Sequence, residues 1–62
     1  MSYSQFDVVT LAVDLLDGNL RRGMKGVVID VYHQPDEAYE VEFCDDEGKT
    51  LALLALTPEQ LK

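Results

Sequence analysis

The sequence predicts an all-β fold. Short apolar runs, rich in β-branched and aromatic residues, recur along the chain and are separated at short intervals by four glycines. One run, residues 39–43, alternates apolar and acidic residues with the period of two that sends successive side chains to opposite faces of a strand. Because the 62 residues contain no linker, repeat or low-complexity segment, we expect a single domain over residues 1–62.

The first apolar run fits both a strand and a helix. Residues 7–14 are rich in β-branched side chains and have the length of a strand, whereas four apolar residues between positions 8 and 15 also share one helical face. Asp7 would be the N-cap of that helix, and Gly18 would lie beyond its end. We predict a strand over residues 7–14 on β-propensity and brevity, with the helix as the open alternative for residues 8–16.

A turn-rich connection over residues 15–22 leads into the clearest strand. Residues 17–19 tolerate left-handed or locally hydrogen-bonded backbone, and Leu20 is expected to pack beneath the connection. Residues 27–32 are predicted as a strand because their β-branched and aromatic run is interrupted only once, by Asp30.

A turn over residues 33–37 then joins this strand to the next. Pro35 lacks the amide proton that a strand ladder uses, so the turn ends one strand and starts its partner at residues 39–43. In that partner Tyr39, Val41 and Phe43 are predicted on a buried face, and Glu40 and Glu42 on a wet face.

The last part of the chain predicts a hairpin loop, a strand and one helical turn. Residues 45–48 form an acidic loop in which Gly48 supplies a positive φ angle. The leucine-rich residues 50–56 follow as a strand. Residues 57–60 match a helix start, with a hydroxyl N-cap, a proline at the first helical position and a glutamine that completes a capping box. We expect this single turn to place Leu61 over an open end of the domain.

This order of segments resembles a family of short bacterial proteins catalogued as a domain of unknown function. The resemblance rests on "RRGMKGVVIDVY", "YEVEF", the acidic turn with its glycine, and "TLALLALTPEQL", and it extends from Asp7 to Leu61. The Gly23-x-x-Gly26-x-Val28 core also resembles the opening hairpin of SH3-like barrels, including KOW-type modules and the SH3-like domain of the nitrile hydratase β subunit.

The resemblance implies an all-β, small SH3-like, partly open barrel of about five short strands with a C-terminal one-turn helix, acting as a binding module. Family members are often encoded beside toxin-like proteins, which implies an antitoxin or immunity-type partner. The resemblance brings no catalytic residues with it. The sequence departs from the expected pattern at Leu16, where a proline after the first strand is expected.

The charge balance narrows the choice of partners. Twelve acids against five bases give a formal net charge of −7. Five dispersed bases are a poor supply of the cations that bind phosphate backbones, so we expect no nucleic-acid partner. The negative field instead favours encounter with a basic protein. The alternative interpretation is that the acids serve only the solubility of the chain.

We therefore predict a small, acidic, non-catalytic protein-binding module that uses a sheet face together with the acidic turn at residues 36–37 or the one at residues 45–47. The candidate residues are Asp30, Tyr32, Asp36, Glu37, Glu40, Glu42, Asp45, Asp46 and Glu47. The alternative is a homo-oligomeric accessory SH3-like subunit of an enzyme or nucleic-acid-associated complex. A homodimer through an apolar edge of the leucine-rich last strand and the first strand would add the core that so short a chain lacks.

No catalytic, metal or cofactor site is expected. His33 is the only histidine, and a zinc site needs more nitrogen or sulfur ligands. Residues 45–48 lack the ligand spacing of a calcium loop. Gly23 and Gly26 lack the serine or threonine and the helix of a phosphate loop, and are interpreted as sites of positive φ or close backbone approach.

The compartment predicted from the sequence is the cytoplasm. Cys44 is the only cysteine, which suits a reducing environment, and we interpret it as a half-buried filler. The first residues lack the pattern of a signal peptide. No segment approaches the roughly 20 apolar residues of a membrane-spanning helix.

Overall fold

The computed structural model describes residues 2–16 and 19–62, and its elements are strands and one short 3₁₀ turn. The elements are β1 (Val8–Thr10), β2 (Lys25–Tyr32), β3 (Ala38–Cys44), β4 (Thr50–Leu56) and the 3₁₀ turn (Pro58–Gln60). The strands form one antiparallel sheet in chain order, and this sheet is open. The all-β prediction is thus confirmed.

The first strand is shorter than predicted. The ladder between β1 and β2 covers Val8–Thr10 rather than residues 7–14, and the described residues 8–16 contain no α-helix. Beyond Thr10 the regular ladder ends, although Leu11 N–H still donates to Met24 O at 2.8 Å, and Leu11 also forms an isolated bridge with Leu61. Residues 17 and 18 of the predicted connection lie outside the described residues.

The described residues form four strands rather than about five. The segment after the 3₁₀ turn returns to the end of β1, where Thr10 N–H donates to Lys62 O at 3.1 Å and Lys62 N–H donates to Thr10 O at 2.9 Å. Together with the bridge at Leu61, this contact holds the C-terminal residues beside β1 without forming a further strand.

The buried face of the sheet follows the predicted alternation. Tyr39, Val41 and Phe43 of β3 are each 0% exposed, as expected from their spacing, and β2 and β4 contribute the residues directly opposite them. The full core consists of Val9, Leu11, Leu20, Val28, Tyr39, Val41, Phe43, Leu56 and Leu61. Leu20 and Leu61 pack into it as predicted.

Gly26 permits the close approach of β2 to β3. A Cβ atom at this position would lie 2.7 Å from Val41 Cγ1 and 2.9 Å from both Glu42 O and Phe43 Cε1. Because these distances are shorter than real Cβ contacts, only glycine fits this point without a shift of the sheet. Gly23 has the predicted positive φ angle, +95°.

The 3₁₀ turn positions Leu61 as predicted. Gln60 Oε1 accepts a hydrogen bond from Thr57 N–H at 2.9 Å, which is the glutamine half of the predicted capping box. Leu61 N–H donates to Pro58 O at 3.2 Å, and the Leu61 side chain is 6% exposed within the core. No helix among the described residues has the length and apolar character to cross a membrane.

Candidate functional site

The outer face of the sheet carries two cross-strand rows that include the predicted sheet acids. One row runs through Asp30 and Glu40 to Ala55, and the second includes Glu42 and Leu53. Directly opposite residues of an antiparallel pair share a face. The three acids of β2 and β3 therefore lie together on the face opposite the core.

Tyr32 is linked to this acidic group by its hydroxyl, which donates a hydrogen bond to Glu40 Oε1 at 3.0 Å. That hydrogen bond, with smaller effects of burial and of the charges of Glu40 and Asp30, raises the pKa of Tyr32 above its ordinary value. The ring is 39% exposed. Tyr32 thus stays neutral and holds the Glu40 carboxylate at one end of the face.

Glu42 lies among apolar side chains. Its Oε2 accepts a hydrogen bond from Thr50 Oγ1 at 2.7 Å, which fixes the carboxylate across the β3–β4 pair. Leu53, directly opposite on β4, is 55% exposed, and Val8 on β1 is 66% exposed. A shallow depression of ≈ 120 Å³ lies on this part of the face, and its lining includes Val8, Lys25, Val27 and Glu42.

The sequence-based candidate set omitted these exposed aliphatic residues. In β4, Leu51 and Leu53 alternate with inward-facing residues, so the period-two pattern does contain the signal. The strand is apolar on both faces, however, and only its register against β3 shows which leucines point outward. Val8 was missed for the same reason in β1.

The hairpin turn after β3 is stabilised by Asp45, one of the predicted binding residues. Asp45 Oδ1 accepts hydrogen bonds from the backbone N–H groups of Glu47 at 2.9 Å and Lys49 at 2.8 Å. Gly48 takes the predicted positive φ angle, +83°. Asp45 is therefore engaged within the turn, whereas Asp46 and Glu47 are exposed.

The turn before β3 is tied to the core through a tyrosine pair. The Tyr39 hydroxyl donates to the Glu37 carboxylate and accepts from Tyr3 N–H at 3.2 Å. The rings of Tyr3 and Tyr39 meet edge to face, with centroids 5.4 Å apart. The hydrogen bond to Glu37, followed by burial, raises the pKa of Tyr39. Glu37 thus has a structural partner.

An open, acidic depression lies between this turn and the 3₁₀ turn. It has a volume of ≈ 390 Å³ and is lined by Asp36, Glu37, Thr57, Pro58 and Glu59. A larger groove of ≈ 430 Å³ lies between residues 14–16 and the end of β4, with Leu16, Leu54 and Leu56 among its lining. Sequence reasoning predicted neither concavity, because each joins segments distant in the chain.

The predicted residues do not form one continuous site. Asp30, Tyr32, Glu40 and Glu42 lie on the outer face, whereas the two acidic turns lie at opposite ends of β3. This strand has 7 residues, so the turns are roughly 20 Å apart at the usual rise per residue.

Cys44 and His33, the two side chains considered as catalytic or metal-binding groups, are exposed to solvent. Cys44 is exposed, so its prediction as a half-buried filler is wrong, because the alternation along β3 places it at the end of the strand on the outer face, opposite the buried Phe43. His33 is also exposed. Among residues 2–16 and 19–62, no three His, Cys, Asp or Glu side chains are grouped to hold a metal ion.

Fold and surface together define a small all-β domain whose open antiparallel sheet presents acids and aliphatic side chains on one face. The sequence matches the family model described as "Domain of unknown function (DUF4926)" over residues 5–62, and the chain belongs to that family. The predicted membership of a domain-of-unknown-function family is confirmed. No curated protein and no solved structure gives a significant match.

Proposed function

We propose that the chain is a non-catalytic protein-binding module that takes a basic partner on the outer face of its sheet. The observation that carries this proposal is the arrangement of Glu40 and Glu42 beside Val8 and Leu53, both more than half exposed. A partner with an arginine or lysine surrounded by aliphatic side chains complements such a face in both charge and polarity.

The apolar and acidic residues would contribute to binding in different ways. Burial of Val8 and Leu53 stabilises a complex by about 25 cal/mol per Å² of apolar surface removed from water. Glu40 and Glu42, within a chain of net charge −7, accelerate encounter with a basic protein and fix its orientation. Tyr32, whose ring is partly exposed, supplies an aromatic contact of the kind often found among the strongest interface residues.

The proposal is tested with two double variants that each remove two acids. Glu40→Gln/Glu42→Gln alters the outer face, and Asp46→Asn/Glu47→Gln is the control with the same change in net charge at the hairpin. We expect only the first to weaken binding of a stoichiometric partner recovered from native lysate, and added salt to weaken it further. Equal weakening by both variants would show that overall charge, rather than this face, drives binding.

A more specific form of the proposal is an antitoxin or immunity-type role in the cytoplasm. An exposed Cys44 is compatible with a reducing compartment, and an acidic face suits neutralisation of a basic toxin-like protein. Co-expression with a basic protein encoded beside this chain should restore growth that the neighbour alone inhibits. Unchanged inhibition, together with no complex on copurification, would contradict this form.

We further propose that the sheet is part of a partly open SH3-like barrel in which the C-terminal residues act as a rudimentary fifth strand. The support is the pair of hydrogen bonds between Thr10 and Lys62, extended by Ala12 N–H donating to Gln60 O at 2.7 Å. Amide exchange tests it: the Thr10 and Lys62 amides should be protected nearly as well as that of Val41. Fast exchange at both would contradict closure.

A further inference from the structure

Phe6 has a backbone conformation that phenylalanine rarely adopts. Its φ angle is +73°, in the left-handed region, where a bulky residue is an outlier. Asp7 N–H donates to Ser4 O at 3.0 Å, so residues 4–7 form a turn with Phe6 at its third position. Turns with a positive φ angle at that position favour glycine or asparagine. Phenylalanine is therefore strained at a place where the turn favours a different residue.

The turn leads directly into a β-bulge against β2. Phe6 N–H donates to Val28 O at 2.6 Å, and Val28 N–H donates to Asp7 O at 2.9 Å. Two residues thus lie opposite one, and the first of them is left-handed, which is the arrangement of a G1 bulge with its usual glycine replaced. The backbone of Phe6 is held by the hydrogen bonds on both sides of it, so the strain cannot relax without breaking them.

The Phe6 side chain contributes little to the fold in return for this strain. It is 68% exposed, and it is not among the described hydrophobic residues that pack against the core. Tyr3, in the same segment, does pack there, with its ring edge to face with that of Tyr39. Strained residues persist where the surroundings hold them, and they cluster at binding sites. Strain and exposure together indicate that Phe6 serves binding rather than folding.

A carboxylate of restricted position follows the exposed ring. Asp7 Oδ2 accepts a hydrogen bond from Ser4 N–H at 2.8 Å, which holds the side chain against the turn. Asp7 is nevertheless exposed, and the hydrogen bonds of the described residues use only its Oδ2. One carboxylate oxygen is thus free to accept a hydrogen bond from a partner.

An exposed aromatic ring next to a held carboxylate is suited to the guanidinium group of arginine. The flat face of a guanidinium stacks on aromatic rings, and its edge donates hydrogen bonds to carboxylates. A lysine ammonium is more strongly hydrated and has no flat face. An aliphatic side chain would cover the ring but leave the charge of Asp7 without a counterpart. The net charge of −7 favours a basic partner in any case.

We propose that Phe6 and Asp7 form an arginine subsite, in which the guanidinium of one partner arginine stacks on Phe6 and pairs with Asp7. This inference rests on the protein-binding function proposed above and names one residue type of the basic partner. Phe6 lies two residues before Val8, or within about 7 Å along the chain. Val8 is 66% exposed and belongs to the outer face. The arginine subsite therefore extends the binding surface beyond the first strand.

The first test measures stability and needs no partner. Phe6→Asn introduces a residue that tolerates the left-handed region, so it should lower the equilibrium constant of unfolding at least about twofold in urea titrations. Val8→Asn is the matched control, because the same residue is disfavoured in a regular strand and should raise that constant. A higher constant for Phe6→Asn than for the native chain would show that Phe6 serves the fold, and would overturn the proposal.

The second test is an NMR titration of the full chain with two short peptides, acetyl-LRLR-amide and acetyl-LKLK-amide. On the native chain, the δ-methylene protons of the arginine peptide should shift upfield, because they lie over an aromatic ring. Phe6→Leu keeps an apolar side chain but no ring. It should abolish this shift and raise the dissociation constant about two- to fivefold, the effect of an exposed cation–π contact. It should affect the lysine peptide less. An unchanged arginine shift in Phe6→Leu would contradict stacking on this ring.

The carboxylate is tested with Asp7→Asn. The asparagine oxygen can still accept from Ser4 N–H, so the turn is kept and only the charge is lost. We expect the dissociation constant of the arginine peptide to rise about two- to fivefold, as on removal of an exposed ion pair. Asp46→Asn removes the same charge at the hairpin and should have a smaller effect. Equal effects of the two variants would contradict pairing with Asp7.

The variant Glu40→Gln/Glu42→Gln separates the arginine subsite from the outer-face site. If this variant weakens binding of the arginine peptide and Phe6→Leu does not, the outer face binds basic chains and the arginine subsite is wrong. If Phe6→Leu abolishes the upfield shift while Glu40→Gln/Glu42→Gln binds as the native chain does, the arginine subsite stands and the outer-face site fails.

Discussion

At the scale of single residues, Gly26 sets the distance between β2 and β3. A methyl group there would press on Val41, Phe43 and the backbone oxygen of Glu42 at 2.7 to 2.9 Å. The backbone oxygen cannot move away as a flexible side chain can, so the sheet itself must shift. The sequence predicted a special backbone position at Gly26, but its buried, strand-internal location required the register.

Gly26→Ala should therefore lower the free energy of unfolding by about 1–3 kcal/mol, the usual cost of an overpacked core. Urea unfolding measures this change. Gly23→Asn is the control, because asparagine tolerates the positive φ angle of +95° at a position with open space around it. A smaller loss at Gly26 than at Gly23 would mean that β2 and β3 can separate easily.

Tyr39 joins the core to the turn that precedes β3. Its replacement by phenylalanine keeps the ring and tests the contribution of the hydroxyl alone. Tyr39→Phe removes the donor to Glu37 and the acceptor for Tyr3 N–H. We expect a loss of about 1–3 kcal/mol in the free energy of unfolding at neutral pH, because the partly buried amide of Tyr3 is left without its partner. Tyr32→Phe, at a partly exposed ring, should cost less.

The same residue predicts how stability changes with pH. The pKa of Tyr39 is raised in the folded state above its ordinary value of 10.0, so folding favours the neutral phenol. This contribution is complete below pH 10 and is lost as the pH rises through the folded-state pKa. The free energy of unfolding of the native chain should therefore fall more steeply above pH 10 than that of Tyr39→Phe; parallel curves would contradict the assignment.

At the scale of elements, local patterns predicted β2, β3 and β4 and the turns that pair them, but not the extent of β1. The alternation in residues 39–43 identified both faces of β3, and the capping pattern of residues 57–60 identified the 3₁₀ turn. The end of β1 could not be predicted in this way. It depends on Thr10, whose N–H and C=O both bond to Lys62, far along the chain.

Leu61 connects these elements by packing beside Leu11 over the end of the sheet. Leu61→Ala should lower the free energy of unfolding by about 2–4 kcal/mol, since a buried leucine loses both its transfer free energy and its packing. Leu51→Ala is the matched control, because Leu51 is 53% exposed. Equal small losses in urea unfolding would show that Leu61 does not close the core.

At the scale of the whole molecule, the sequence predicted which residues form the core. It did not predict how the exposed residues are arranged on the surface. The buried aromatic and β-branched residues follow a period of two, which is a local signal. Exposure of Val8 and Leu53 is instead a consequence of register between strands. The acids of the candidate site were visible in the sequence, but their separation into one face and two distant turns was not.

The chain is small and has a net charge of −7, so its acids repel one another throughout the folded molecule. This repulsion predicts how thermal stability changes with salt. Screening reduces repulsion between like charges that are closer in the folded chain than in the unfolded one. The midpoint of thermal unfolding should therefore rise with added sodium chloride, measured at a protein concentration low enough to keep the chain monomeric.

The variant Asp46→Asn/Glu47→Gln removes two exposed acids without changing the Asp45 hydrogen bonds that close the hairpin. This variant should start from a higher midpoint at low salt and rise less steeply, because fewer like charges remain to be screened. If its salt response matched that of the native chain, the hairpin acids would contribute nothing to the repulsion, and the destabilising charge would have to lie on the other acids of the chain.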